Sequence, residues 1–136
     1  MGPKLAPVNR YSPLQLAYLG DGVYELYIRR YLLSQGFFSP GKLNKLAKNY
    51  VAAPAQSRVY LEIEERLSEE EKGFLRRGRN AKGGPGPASA SAGEYRRATG
   101  LECLIGGLYV QGRQERIEEI MEMALEVLGK DYEEVE

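Results

Sequence analysis

Two acids occupy positions that a helix built for stability alone does not favour. Asp21 lies in LAYLGDGVYELYI between two glycines, and Glu102 lies in TGLECLIGGLY, between Leu101 and Cys103 and four residues before Gly106-Gly107. Each glycine inside a helix costs about 1 kcal/mol relative to alanine, and aspartate is a mediocre helix former. The trio around Asp21 therefore calls for a close backbone approach or for chemistry. Plain readings exist as well: an exposed Asp21 whose glycines permit tight packing, and a Glu102 solvated on an amphipathic helix. What favours chemistry is the recurrence of the acid-in-apolar, glycine-bordered pattern within one small chain. Two carboxylates brought together make a hard oxygen site suited to Mg²⁺, which keeps several waters and takes further ligands from a substrate phosphate. A cation held there acidifies a bound water and neutralises charge on a reacting phosphodiester, so histidine is not required.

Composition narrows the chemistry in the same direction. There is no histidine, and Cys103 is the only cysteine. Intrachain disulfides, Cys/His zinc sites, Ser-His or Cys-His nucleophile pairs and imidazole bases are thereby excluded. Lys plus Arg (19) equals Asp plus Glu (19), so attraction to a polyanion must come from the placement of charge. The segment RRGRNAK places Arg76, Arg77, Arg79 and Lys82 close together, with Gly78 and Asn80 among them. Such a cluster is often only a solvated face. As a functional feature, Arg76, Arg77, Arg79, Asn80 and Lys82 form an RNA-binding arm whose guanidinium forks grip backbone phosphates, with Arg96 and Arg97 extending it. Double-stranded RNA is read mainly through shape, phosphates and 2′-hydroxyls, which suits a basic edge without base-reading motifs.

The elements that must position these residues read as helices. Ser12-Pro13 starts one that runs through Leu16, Leu19, Val23, Leu26, Tyr27 and Ile28 to Leu33, with Gly36 as its stop. Ser39-Pro40 starts a second, in which Leu43, Leu46, Ala47 and Tyr50 form a stripe and lysines 42, 45 and 48 lie off it. Pro54 opens a third that extends through Leu67, and Ser68 with Glu71 forms a capping box for a fourth, EEEKGFLRRGRNAK. Residues 83–93, GGPGPASASAG, offer nothing to pack and are expected to form a flexible surface loop. A fifth helix covers EYRRATGLECLIGGLYVQG, and a sixth runs from Arg113 to a stop at Gly129, leaving an acidic tail at 130–136 expected to fray. Tyr18, Tyr27 and Tyr50 fall at positions expected to face the core. The expected architecture is one all-α bundle spanning residues 1–136, with no strand alternation and no internal repeat. No stretch approaches the roughly 20 apolar residues of a membrane span, and no signal-peptide core is present, so a soluble, cytoplasmic setting is expected.

LAYLGDGVYELYIRRYLL, FLRRGRNAK and EYRRATGLECLIGGLYVQG, in that order, closely resemble the mini-ribonuclease III proteins, short bacterial and plastid relatives of ribonuclease III. The likeness spans about Ser12 to Leu128. It implies an all-α bundle like the ribonuclease III endonuclease domain, working as a homodimer. It further implies Mg²⁺-dependent cleavage of double-stranded RNA, with Mn²⁺ able to substitute, and maturation of the ends of large-subunit (23S) ribosomal RNA from its precursor. A ribosomal protein is a candidate helper in presenting that substrate. By position, Asp21 and Glu102 match the family's catalytic, metal-binding acids. Where full-length enzymes carry further acids this chain has Leu14, Ala17 and Thr99, so the site is expected to be lean in carboxylates. Two other readings remain on the residues alone: a ribonuclease III-like RNA-binding protein of ribosome assembly that is weak or inactive in catalysis, and a helical interaction protein without an RNA ligand.

Overall fold

The computed structural model describes residues 2–81, 86 and 89–135, the side chains of 130–135 excepted. Six helices account for most of it: α1 (Pro13–Gln35), α2 (Pro40–Val51), α3 (Ala53–Ile63), α4 (Glu69–Asn80), α5 (Ala92–Val110) and α6 (Gln114–Val135). Four of them begin with a serine cap. Ser12, Ser39, Ser68 and Ser91 each accept a hydrogen bond from the backbone N–H three residues on, and at Ser12, Ser68 and Ser91 the side chain at that position returns the contact. The all-α expectation holds, with no strand among the described residues.

Several boundaries differ from those the sequence suggests. α5 starts at Ala92 because the Ser91–Glu94 capping box lies inside the low-complexity segment, which therefore ends earlier than residue 93. Gly86 in that segment lies against Tyr95, where a Cβ would fall 2.5 Å from the ring. The third helix stops at Ile63 and gives way to a single 3-10 turn, Glu64–Arg66, before Ser68 starts α4. Gly129 is no stop: α6 continues through it to Val135, so its backbone is helical where fraying was expected. Tyr18 is not a core residue. It is 86% exposed on the outer face of α1, whereas Tyr50 is fully buried and Tyr27 half-buried.

α5 is the centre of the bundle, packed mainly between α1, α4 and α3. Every residue from Ala98 to Leu108 is buried except Glu102, which is half-buried. A helix that is apolar on all sides belongs inside a protein. α5 ends in a turn at Gly112, whose φ of 72° glycine adopts without steric cost. α6 then docks through Glu71. This carboxylate, 1% exposed in the first turn of α4, accepts hydrogen bonds from Arg116 Nε at 2.8 Å and Nη2 at 3.0 Å, and from Arg113 at 3.4 Å. Burial pushes the Glu71 carboxyl up, but the Arg116 hydrogen bonds, the Ser68 N–H and both guanidinium charges outweigh it, and the net shift is downward. Among the described residues no helix is long and apolar enough to cross a membrane.

Candidate active site

The crossing of α1 and α5 places the two acids. A Cβ on Gly20 would lie 1.8 Å from the Glu102 carbonyl oxygen, and a Cβ on Gly106 would lie 1.9 Å from the Leu16 carbonyl oxygen. Only glycine at both positions lets the two backbones approach this closely. Asp21 follows Gly20 by one residue and Glu102 precedes Gly106 by one turn, so their carboxyl groups meet at the edge of the crossing. Asp21 is exposed and Glu102 is half-buried. Gly22, the other glycine beside Asp21, meets nothing within 4 Å and does not serve this contact.

The pair is electrostatically tense. Burial, then the charge of Asp21 and a hydrogen bond with it, raise the Glu102 carboxyl to about 8, against a weaker opposing effect of the Gln56 side chain. Near neutral pH Glu102 therefore holds its proton against the Asp21 carboxylate. A cation between the two carboxyls would displace that proton and relieve the repulsion.

Two further side chains complete the wall. Tyr24, three residues after Asp21 and fully buried, donates its hydroxyl to the Tyr50 carbonyl at 2.6 Å. Burial, then the charges of Glu102 and Tyr50, push its phenol upward, so it stays protonated and takes no acid-base role. Gln56, 2% exposed in the first turn of α3, lies near Glu102. Neither residue carries a sequence signal: a tyrosine on an apolar stripe and a glutamine near a helix start are both ordinary.

The donor set fits a hard divalent cation that keeps most of its water: two carboxylates, an apolar surround and one buried amide. No group of three or more His, Cys, Asp or Glu side chains that could hold a metal ion occurs among the described residues. The positions of the missing acids show why. Leu14 is exposed, Ala17 is buried, and Thr99 spends its hydroxyl on the Tyr95 carbonyl at 3.0 Å.

The basic residues lie on an adjoining face of α5, apart from the acids. Gly78 packs into α5, where a Cβ would lie 2.6 Å from the Cys103 Cβ and 2.8 Å from the Gly100 Cα. That contact directs Arg77 and Arg79 to either side of it. The Arg77 guanidinium sits over the Phe74 ring at 5.0 Å. Arg79 donates to the Tyr60 hydroxyl and to Asn80 Oδ1, both at 3.2 Å, and Arg76 lies 4.0 Å from Glu69. Arg97 donates to Ser57 Oγ at 2.6 Å, while Arg96 is exposed. Lys82 lies outside the described residues. The cluster is thus partly tethered, with Arg77 and Arg96 the cations least engaged by polar partners. Cys103 is buried beneath it, its thiol pushed up to about 11 by burial despite Arg77 and the Gly78 N–H, which removes it as a nucleophile.

Known proteins resemble this chain in sequence and fold. The Ribonuclease III domain family matches residues 14–113. Mini-ribonuclease 3 of Brevibacillus brevis is 43% identical over 120 residues, covering 88% of this chain and 90% of its own length. Mini-ribonuclease 3 of Symbiobacterium thermophilum is 42% identical over 127 residues, covering 93% and 98%. A crystal structure of a Fusobacterium nucleatum protein superposes with a TM-score of 0.78 at 40% identity, covering 85% of this chain and 93% of that one. With a family match across the α1–α5 frame and relatives similar over nearly their whole length, the chain belongs to the ribonuclease III family, among its mini-ribonuclease 3 members, and is an endoribonuclease of that type.

Proposed function

We propose that Asp21 and Glu102 are the catalytic carboxylates, that they hold Mg²⁺ or, as a substitute, Mn²⁺, and that the substrate is double-stranded RNA. The observation that carries this reading is the Gly20–Gly106 crossing, which sets the two carboxyls side by side at a surface a phosphate can reach. A bound divalent cation supplies charge neutralisation at the phosphodiester and an acidified water. Asp21, being exposed, offers its carboxylate toward substrate. Glu102, half-buried in an apolar helix, stays rigid because its backbone is wedged against α1. Tyr24 and Gln56 close the inner side against solvent. Arg76, Arg77, Arg79, Asn80 and Lys82, with Arg96, take the backbone phosphates of the duplex.

The outer face of α1 supports a homodimer. Leu14, Tyr18, Leu26 and Leu33 are exposed there, 41% to 86%, joined by Tyr109 of α5. Gly22 stands in a shallow cavity of about 300 Å³ lined also by Leu19, Leu26, Tyr27 and Arg30. A stripe of large apolar side chains beside a hollow suits a self-complementary contact. Two copies joined there would carry one carboxylate pair for each strand of a duplex. The natural substrate in this reading is precursor 23S ribosomal RNA in the cytoplasm, whose ends the enzyme matures with a ribosomal protein as helper. The test incubates the purified protein with that precursor, with and without Mg²⁺, and maps the ends. Asp21→Asn should abolish cleavage while leaving helicity and dimer intact; cleavage at the normal rate by that variant would sink the assignment.

A further inference from the structure

Among the described residues few polar or charged side chains are buried, and one of these keeps an amide donor without a hydrogen bond. Gln56, Ser57, Glu71 and Thr99 are the buried polar or charged residues among those described. Ser57 accepts from Arg97, Glu71 accepts from Arg113 and Arg116, and Thr99 donates to the Tyr95 carbonyl. Gln56 alone among them keeps a donor, Nε2, without a hydrogen bond. The amide lies close enough to Glu102 to favour its charged form, yet Nε2 makes no hydrogen bond of ordinary geometry. An unpaired buried amide carries a desolvation penalty that leucine or methionine in its place would avoid.

We propose that Gln56 is a positioning residue for Glu102, and that its Nε2–H donates to the Glu102 carboxylate when the site holds a divalent cation. This rests on the assignment of Asp21 and Glu102 as the metal-holding pair. A Glu102 carboxylate that ligates a cation is a charged acceptor near the orphaned Gln56 donor, and charge-assisted hydrogen bonds are among the stronger ones. The lean donor set gives the amide its importance. Leu14, Ala17 and Thr99 contribute no ligand, so the fit of the site depends on how firmly each of the two carboxylates is held. Outer-shell hydrogen bonds to ligating groups are worth roughly 10- to 100-fold in affinity or activity.

The test is Gln56→Met, which keeps an unbranched chain of similar size and removes the donor. Mn²⁺ binding to the RNA-free protein is followed by electron paramagnetic resonance titration, beside wild type and Asp21→Asn. Expected for Gln56→Met are an unfolding midpoint equal to or above that of wild type, Mn²⁺ affinity weaker by about 10- to 100-fold, and kcat lowered without change in KM for duplex RNA. Unchanged Mn²⁺ affinity in Gln56→Met, with Asp21→Asn unable to bind, overturns the role of Gln56 alone. Wild-type Mn²⁺ binding by Asp21→Asn overturns the underlying metal assignment. Should Gln56→Met fail to fold, the wild-type protein decides: on Mg²⁺ addition the Gln56 side-chain amide protons should move downfield and exchange more slowly with solvent, and an unmoved resonance refutes the proposal.

Discussion

Replacing Gly20 with alanine tests what sets the separation of the two acids. The new Cβ would sit 1.8 Å from the Glu102 carbonyl oxygen, whereas ordinary van der Waals contact begins at 3.4 Å. The difference, 3.4 minus 1.8, requires α1 and α5 to part by about 1.6 Å at this point. The atom in the way is backbone, so no rotamer change relieves it. Overpacking of this kind costs about 1–3 kcal/mol, and a displacement of about 1 Å between catalytic groups lowers turnover by roughly 100-fold. Guanidinium unfolding followed by circular dichroism reads the first effect. Single-turnover cleavage of a short RNA duplex at saturating Mg²⁺, per folded molecule, reads the second. Gly41→Ala is the control: its Cβ meets nothing within 4 Å and it lies in the first turn of α2, so stability should hold or rise by up to about 1 kcal/mol with cleavage unchanged. Wild-type stability and wild-type turnover in Gly20→Ala would refute the crossing as the device that sets the pair.

Further outcomes follow from the same geometry. Glu102 is raised from 4.5 to about 8 in the folded protein, so the native state keeps a proton that the unfolded chain releases. The associated stability is fully present below about pH 4.5 and is lost as pH rises toward 8, by at most about 1.4 kcal/mol per pH unit. In chelator, the unfolding free energy of wild type should therefore fall between pH 5 and pH 8, and Glu102→Gln should flatten that fall; equal slopes would refute the shift. Tyr18→Asp puts a charge on the apolar outer face of α1 and should yield monomers by light scattering, with a persistent dimer arguing for another interface. Arg77→Ala should weaken duplex binding evenly across sequences and lower the slope of log affinity against log salt by about one, as loss of a phosphate contact requires. An unchanged slope would remove Arg77 from the RNA-binding set.

Helix starts were legible in the sequence because they are local. A serine cap takes its hydrogen bond from a backbone N–H three residues on, without help from the rest of the chain, so Ser12 and Ser39, each followed by proline, and Ser68, with Glu71 three residues on, could be recognised locally, whereas Ser91 sits in a glycine- and serine-rich run. The two acids also stood out, since each departs from what a helix at that place favours. Their roles were not separable at that level. Gly20 and Gly22 look alike beside Asp21, yet one admits the α5 backbone and the other faces open space. Tyr18 and Tyr24 share a helix, and only packing put the first outside and the second against Glu102.

The local chemistry of the chain thus determined six helices, the absence of histidine chemistry and a short choice of carboxylates. Burial and approach were decided by contacts between residues far apart in sequence. Glu102 is the one residue from Ala98 to Leu108 left short of full burial, and Gln56, nearly fifty positions earlier, lies near it. A helix's own periodicity records which residues share a face but not which neighbour covers that face, and here the backbone of α1 lying against α5 brought the two acids together.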